Sequence, residues 1–114
     1  MNNREFGLRA EEKAAAYLTE RGYAILARNY FTPYGEIDLI ALDGSRVVFA
    51  EVKCRRTARC GLPREAVTAR KQQRYYQAAL YFLQHSAYQD SPLRFDVIEV
   101  RGEEMTVEQI QNAF

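Results

Sequence analysis

The chain has 114 residues, of which 47% are apolar and 27% charged, and its formal net charge is +1. That is one domain, residues 1–114, with enough apolar surface for a core that needs no disulfide or structural metal, and the balance excludes a disordered chain or a strongly basic, histone-like one. No apolar run approaches a membrane span, Met-Asn-Asn-Arg-Glu-Phe lacks the apolar stretch of a secretory signal, and Cys54, Cys60 and a single histidine make neither a disulfide framework nor a zinc site, so the expected address is the cytoplasm.

Residues 3–21 carry a helical stripe of Leu8, Ala14, Ala15 and Leu18, with Asn2 at capping-box spacing from Glu5 and a stop at Gly22. Glu11 falls inside that stripe, where an unpaired carboxylate is costly. Residues 23–32 read as a first strand, Pro33-Tyr34-Gly35 as a turn and 36–42 as a second strand. Asp43-Gly44 marks a hairpin into a third strand, 46–54. A basic loop follows over 55–64, where Gly61 and Pro63 exclude regular structure. A second helix spans 65–85, with Tyr75, Ala78, Ala79, Phe82 and Leu83 on its buried side and Lys71 in line with them. Residues 93–100 form another strand, and Thr106 with Gln109 has the spacing to cap a short last helix. This order predicts an α/β protein, a mixed sheet flanked by helices, with the third strand and the 93–100 strand parallel across a helical crossover.

Pairing the second and third strands concentrates charge. Side chains alternate faces along a strand, so Glu36 and Asp38 share a face with Ile40, and Glu51 and Lys53 share one with Val47 and Phe49. A two-residue loop at 43–44 sets Glu36 opposite Glu51. A four-residue loop at 43–46 sets Asp38 opposite Glu51 and Glu36 opposite Lys53. Either register gathers three acids and a lysine among apolar neighbours, whereas a three-residue loop does not. Acids facing each other across strands repel, and burying them unpaired is expensive. A hard divalent cation resolves both costs: Mg²⁺ takes one or two carboxylates, keeps several waters and bridges to phosphate. Lys53 stands beside such an ion, placed to stabilise a phosphoryl oxygen or orient water. For any single residue an ordinary hairpin salt bridge, such as Lys53 with Glu36, explains as much.

Asp38 followed by Glu51-Val52-Lys53 resembles the PD-(D/E)xK nuclease signature, with Ile37 in place of its proline. The longer stretches Gly35-Glu36-Ile37-Asp38-Leu39-Ile40-Ala41 and Phe49-Ala50-Glu51-Val52-Lys53-Cys54-Arg55 resemble the YraN-like family of bacterial proteins, as do Gly7 to Ala14, Arg28-Asn29-Tyr30, Lys71 and Arg94-Phe95-Asp96-Val97. Nearly the whole chain is covered. The resemblance implies a restriction-endonuclease-like α/β fold close to Holliday-junction resolvases. It further implies a Mg²⁺- or Mn²⁺-dependent phosphodiesterase centre at Glu11, Asp38, Glu51 and Lys53, with Asp38 and Glu51 as metal ligands and Glu36 as an auxiliary acid. By the same analogy the enzyme is a homodimer.

Half of the sixteen basic residues fall between Lys53 and Arg74, where Glu65 is the only acid. Besides Lys53 these are Arg55, Arg56, Arg59, Arg64, Arg70, Lys71 and Arg74, a flank suited to the phosphates of a polyanion. The expected function is therefore Mg²⁺-dependent hydrolysis of DNA phosphodiester bonds, in branched or otherwise structured DNA. The alternative is a non-catalytic nucleic-acid-binding accessory module.

Overall fold

Helix α1 (Asn3–Glu20) begins where the sequence places it, because Asn2 accepts from the Glu5 backbone N–H at 2.8 Å and its own amide donates to the Glu5 carboxylate at 3.3 Å. Its end is a Schellman motif: Gly22 takes φ +87°, its N–H donates to the Thr19 carbonyl, and Tyr23 N–H donates to the Leu18 carbonyl. The buried stripe is Phe6, Ala10, Ala14, Ala15 and Leu18, whereas Leu8, expected inside, is 53% exposed. The small alanines bring the helix close to the sheet. Residues 1–56 and 68–114 are described by this computed structural model.

Among the described residues five strands follow: β1 (Ala24–Thr32), β2 (Gly35–Asp43), β3 (Arg46–Arg55), β4 (Leu93–Arg101) and β5 (Thr106–Ile110). They lie side by side in the order β1-β2-β3-β4-β5. Among the described strands only β3 and β4 are parallel, and helix α2 (Ala69–Gln84) lies between them in the chain, as the predicted crossover requires. The α1 face of the sheet carries Leu39, Ala41, Val48, Ala50, Ile98 and Val100. The α2 face carries Ile37, Ile40, Val47 and Phe49 against Tyr75, Ala78, Ala79, Phe82 and Leu83.

The predicted last helix is strand β5 instead, antiparallel to β4 from Arg101↔Thr106 to Val97↔Ile110. Two physical reasons favour it. The open edge of β4 presents a row of unpaired backbone groups. Gln109, the supposed capping residue, spends its amide on the buried Asp96 carboxylate (2.9 Å) and the Tyr23 hydroxyl (3.1 Å). Asp96 is also bound by the Arg94 guanidinium through two bonds of 2.9 Å, and it accepts from Asn112 N–H at 3.1 Å. This buried network ties the last strand to the sheet.

The β2–β3 hairpin turns tightly at Gly44-Ser45, with Asp43 paired to Arg46 and Gly44 at φ +61°. The register is the one that continues to Asp38 opposite Glu51. However, the ladder stops at Leu39↔Ala50, and Val52 N–H donates to the Asp38 carboxylate at 2.9 Å. A side chain has taken a donor that further strand pairing would use. Alternation slips here too, since Ile37 and Ile40 pack on the same α2 face while Leu39 packs on the other.

Candidate active site

Three elements meet where β2 and β3 part: the flank of α1, the ends of the two strands, and the first turns of α2. Glu51 enters from β3, which is buried among Phe49, Ala50 and their neighbours, and its side chain is trapped with it at 4% exposure. One carboxylate oxygen, Oε1, faces two ammonium groups: Lys53 Nζ at 3.6 Å and Lys71 Nζ, which makes the closer ion pair. The other oxygen, Oε2, is buried and has no hydrogen-bond partner among the described residues. A buried carboxylate oxygen without a donor is costly and uncommon, so it calls for a partner that the described residues do not supply, such as water or a cation.

Asp38 stands beside it. Burial pushes its carboxyl up to about 6, and the charges of Glu11, Glu51 and Glu36 add to that against the lowering effect of the Val52 N–H bond. Burial is thus the largest cause, and the neighbouring acids add to it. Glu11 reaches the cluster from α1. Burial raises its pKa, the Asn29 side chain lowers it by hydrogen bonding to the carboxylate, Glu36 raises it and Arg28 lowers it. Asn29 adopts φ +49° in the middle of β1, a conformation asparagine tolerates better than most residues. Glu36 is exposed at the start of β2.

The two lysines are shifted in opposite senses. Burial lowers the Lys53 pKa, and the positive charge of Lys71 lowers it further against the pull of Glu51. For Lys71 burial also lowers it, but its hydrogen bond and charge attraction to Glu51 outweigh that and leave it raised. Two ammonium groups at one carboxylate oxygen, with a second acid close by, form a compact site of alternating charge.

Tyr75 of α2 contributes more than the packing its helical position suggests. Its phenol is buried close to Asp38 and Glu51: burial raises its pKa, the charges of the two carboxylates raise it further, and the Asp38 backbone lowers it. Tyr75→Phe removes a buried polar group beside Asp38, and the expected loss is about 1 kcal/mol of stability by urea denaturation. A variant as stable as the parent would show that the hydroxyl is dispensable.

The basic segment divides into three parts. Arg55 donates from Nε to Glu99 at 3.0 Å, and Glu99, only 1% exposed, is also paired with Arg101. Arg56 binds Glu103, the Met1 carbonyl and the Asn3 side chain, and lies over the Phe6 ring. Both guanidinium groups are engaged inside the fold. Arg59, Arg64 and Cys60 lie outside the described residues, and Cys54 is an exposed free thiol. Arg70, Lys71 and Arg74 line a cleft of about 290 Å³ beside the acids, together with Tyr34, Glu36 and Thr68. Tyr34, Asn29 and Glu99 do not stand out as site residues in the amino-acid sequence. Asn29 alone carried a signal, as an asparagine able to take positive φ within a strand.

A carboxylate pair fits a hard cation, with Glu51 Oε2 as an unspent ligand atom. No three His, Cys, Asp or Glu side chains among the described residues form a ready ligand set, so water and phosphate would complete the coordination.

The mixed sheet, with a helix on either face and an acid–lysine cluster at the parting of β2 and β3, has restriction-endonuclease-like α/β architecture. The model of UPF0102, described as an uncharacterised protein family, matches residues 10–100, and the chain belongs to that family. It is 44% identical over 115 residues to a UPF0102 protein of Desulfosudis oleivorans, covering 100% of this chain and 94% of the relative. With a UPF0102 protein of Caldicellulosiruptor saccharolyticus the identity is 43% over 118 residues and covers both chains fully. A third, from Lachnoclostridium phytofermentans, is 45% identical over 115 residues, covering 100% of this chain and 96% of the relative. No helix among the described residues is long and apolar enough to cross a membrane.

Proposed function

We propose that this protein is a Mg²⁺-dependent endodeoxyribonuclease that hydrolyses phosphodiester bonds in branched or otherwise structured DNA. The observation that carries the reading is the buried, partnerless Oε2 of Glu51, set beside Asp38 and under two lysines. Asp38 and Glu51 would hold the metal, with Mn²⁺ as an acceptable substitute. A bound divalent ion lowers the pKa of water and polarises a phosphoryl oxygen. The protein supplies the rest. Lys53 orients the attacking water and neutralises charge on the pentacovalent phosphorus. Lys71 releases Glu51 as substrate phosphate arrives and then pairs with that phosphate. Glu11 adds a further negative group on the α1 side, and Glu36 does so at the cleft. Arg70 and Arg74 hold flanking phosphates. A pair of copies in the cytoplasm, one for each symmetric strand, suits a junction substrate.

A structure soaked in Mn²⁺ tests the reading directly. Anomalous density between Asp38 and Glu51 supports it, and cations bound only elsewhere on the surface refute it. The second reading, a nucleic-acid-binding module without turnover, draws on the two ammonium groups already at Glu51 Oε1. Salt-sensitive DNA binding without cleavage in Mg²⁺ or Mn²⁺ would decide for it.

A further inference from the structure

The tip of the β1–β2 hairpin holds two outward-facing aromatic rings, Phe31 at 74% exposure and Tyr34 at 46%. The turn beneath them is braced. Thr32 Oγ1 donates to the Gly35 carbonyl at 2.8 Å and accepts from Tyr34 N–H at 3.0 Å, and Gly35 takes φ +136°. Scattered exposed rings need no explanation. These two share a short hydrogen-bonded tip, and Phe31 is the cross-strand partner of Glu36.

Tyr34 also forms one wall of the cleft whose other wall is the start of α2. On that wall Arg70 and Arg74, one turn apart, make no ion pair or hydrogen bond with the described residues. The α2 first turn has no acid to satisfy them. An aromatic wall facing a cationic wall is the chemistry of a nucleotide: a base stacks on the ring and its phosphate pairs with the guanidinium groups. Glu36 between them gives the cleft polarity, because its charge repels phosphate from the tip side and confines it to α2.

We infer that the cleft between Tyr34 and the Arg70–Arg74 face of α2 is a subsite for one unpaired nucleotide next to the scissile phosphate, with Phe31 stacking a neighbouring base. The inference rests on the nuclease reading and narrows its substrate to DNA with unpaired bases. A base inside an intact duplex has no free face to offer the tip. Strand ends, gaps, flaps and the open centre of a junction do.

Fluorescence anisotropy with the full chain in EDTA tests this without turnover, using a short labelled oligo(dT) strand and a blunt duplex of equal length. The strand should bind about tenfold more tightly than the duplex, and Phe31→Ala/Tyr34→Ala should lose about that factor for the strand alone. Tyr34→Phe keeps the ring and should bind like the parent, while Tyr34→Ser should not. Arg70→Ala and Arg74→Ala should each reduce the salt dependence of strand binding by about 0.7 in log–log slope. Because both aromatics are exposed, an unchanged melting temperature certifies the variants as folded. Equal affinity of the parent for strand and duplex, or equal strand affinity of Tyr34→Ser and Tyr34→Phe, overturns the subsite. Duplex cleavage that still requires Lys53 would then leave the nuclease reading standing, whereas no binding to either DNA removes both.

Discussion

On the nuclease reading, Lys53→Ala is expected to lower Mg²⁺-dependent cleavage by about 10²–10³-fold, the usual cost of removing one donor aimed at developing charge. DNA affinity should change little. Lys53 sits over Glu51 at 3.6 Å on the part of β3 that pairs with β4 alone, beyond the end of its ladder with β2, so it reaches one phosphate at most. On the same reading, binding comes from the cations of α2, which are elsewhere on the cleft wall. The two effects therefore separate: single-turnover cleavage collapses while anisotropy barely moves. Lys53→Arg should not restore the rate, because a planar guanidinium fork cannot replace a compact ammonium over the Glu51 carboxylate. Cleavage that survives Lys53→Ala within a factor of two would remove this residue from the chemistry.

The same side chain shows why the sequence was legible here. Glu51-Val52-Lys53 lies on a strand whose apolar run could only be buried, so two charged residues on it demanded an account. The hairpin at Asp43-Gly44 offered two registers that both clustered the acids, and either sufficed to name Glu36, Asp38, Glu51 and Lys53. Lys71 was traceable through its spacing from Tyr75, Ala78 and Phe82. Strand alternation did not foresee the slip at Asp38. That slip arises from a side chain competing for Val52 N–H, a choice made by tertiary geometry rather than by residue pattern. Nor could Thr106 to Gln109 reveal a strand. Its spacing fits a helix cap, and only the open edge of β4 and the buried Asp96, both distant in sequence, convert it. Composition likewise marked Arg55 and Arg56 as part of a phosphate-binding run. Their partners, Glu99 and Glu103, lie more than forty residues on.

Asp38→Asn is expected to make the protein more stable at neutral pH while abolishing the proposed cleavage. The sign follows from the raised pKa. Between the ordinary value of 3.8 and the folded value of about 6, the native state holds a proton that the unfolded chain has released. Stability therefore falls as pH rises through that window, and above it the full penalty of an ionised Asp38 is on the order of 3 kcal/mol. An amide carries no such penalty and keeps an oxygen to accept from Val52 N–H. Urea denaturation should give parent and variant similar stabilities at pH 4 and a variant stronger by about 2–3 kcal/mol at pH 7.5. Mg²⁺ should narrow that gap by binding the parent's native state, since a ligand of the folded form adds stability by mass action. Cleavage by the parent should fade as pH drops through about 6, when Asp38 takes up its proton. A parent whose stability does not decline between pH 4 and 6 contradicts the buried, repelled carboxylate. A variant that gains stability while Mg²⁺ leaves both proteins unmoved separates the acid cluster from any metal and makes it a feature of folding alone. The destabilisation is thus itself a functional test, because an acid kept at that cost without a cation to relieve it has no return in the folded protein.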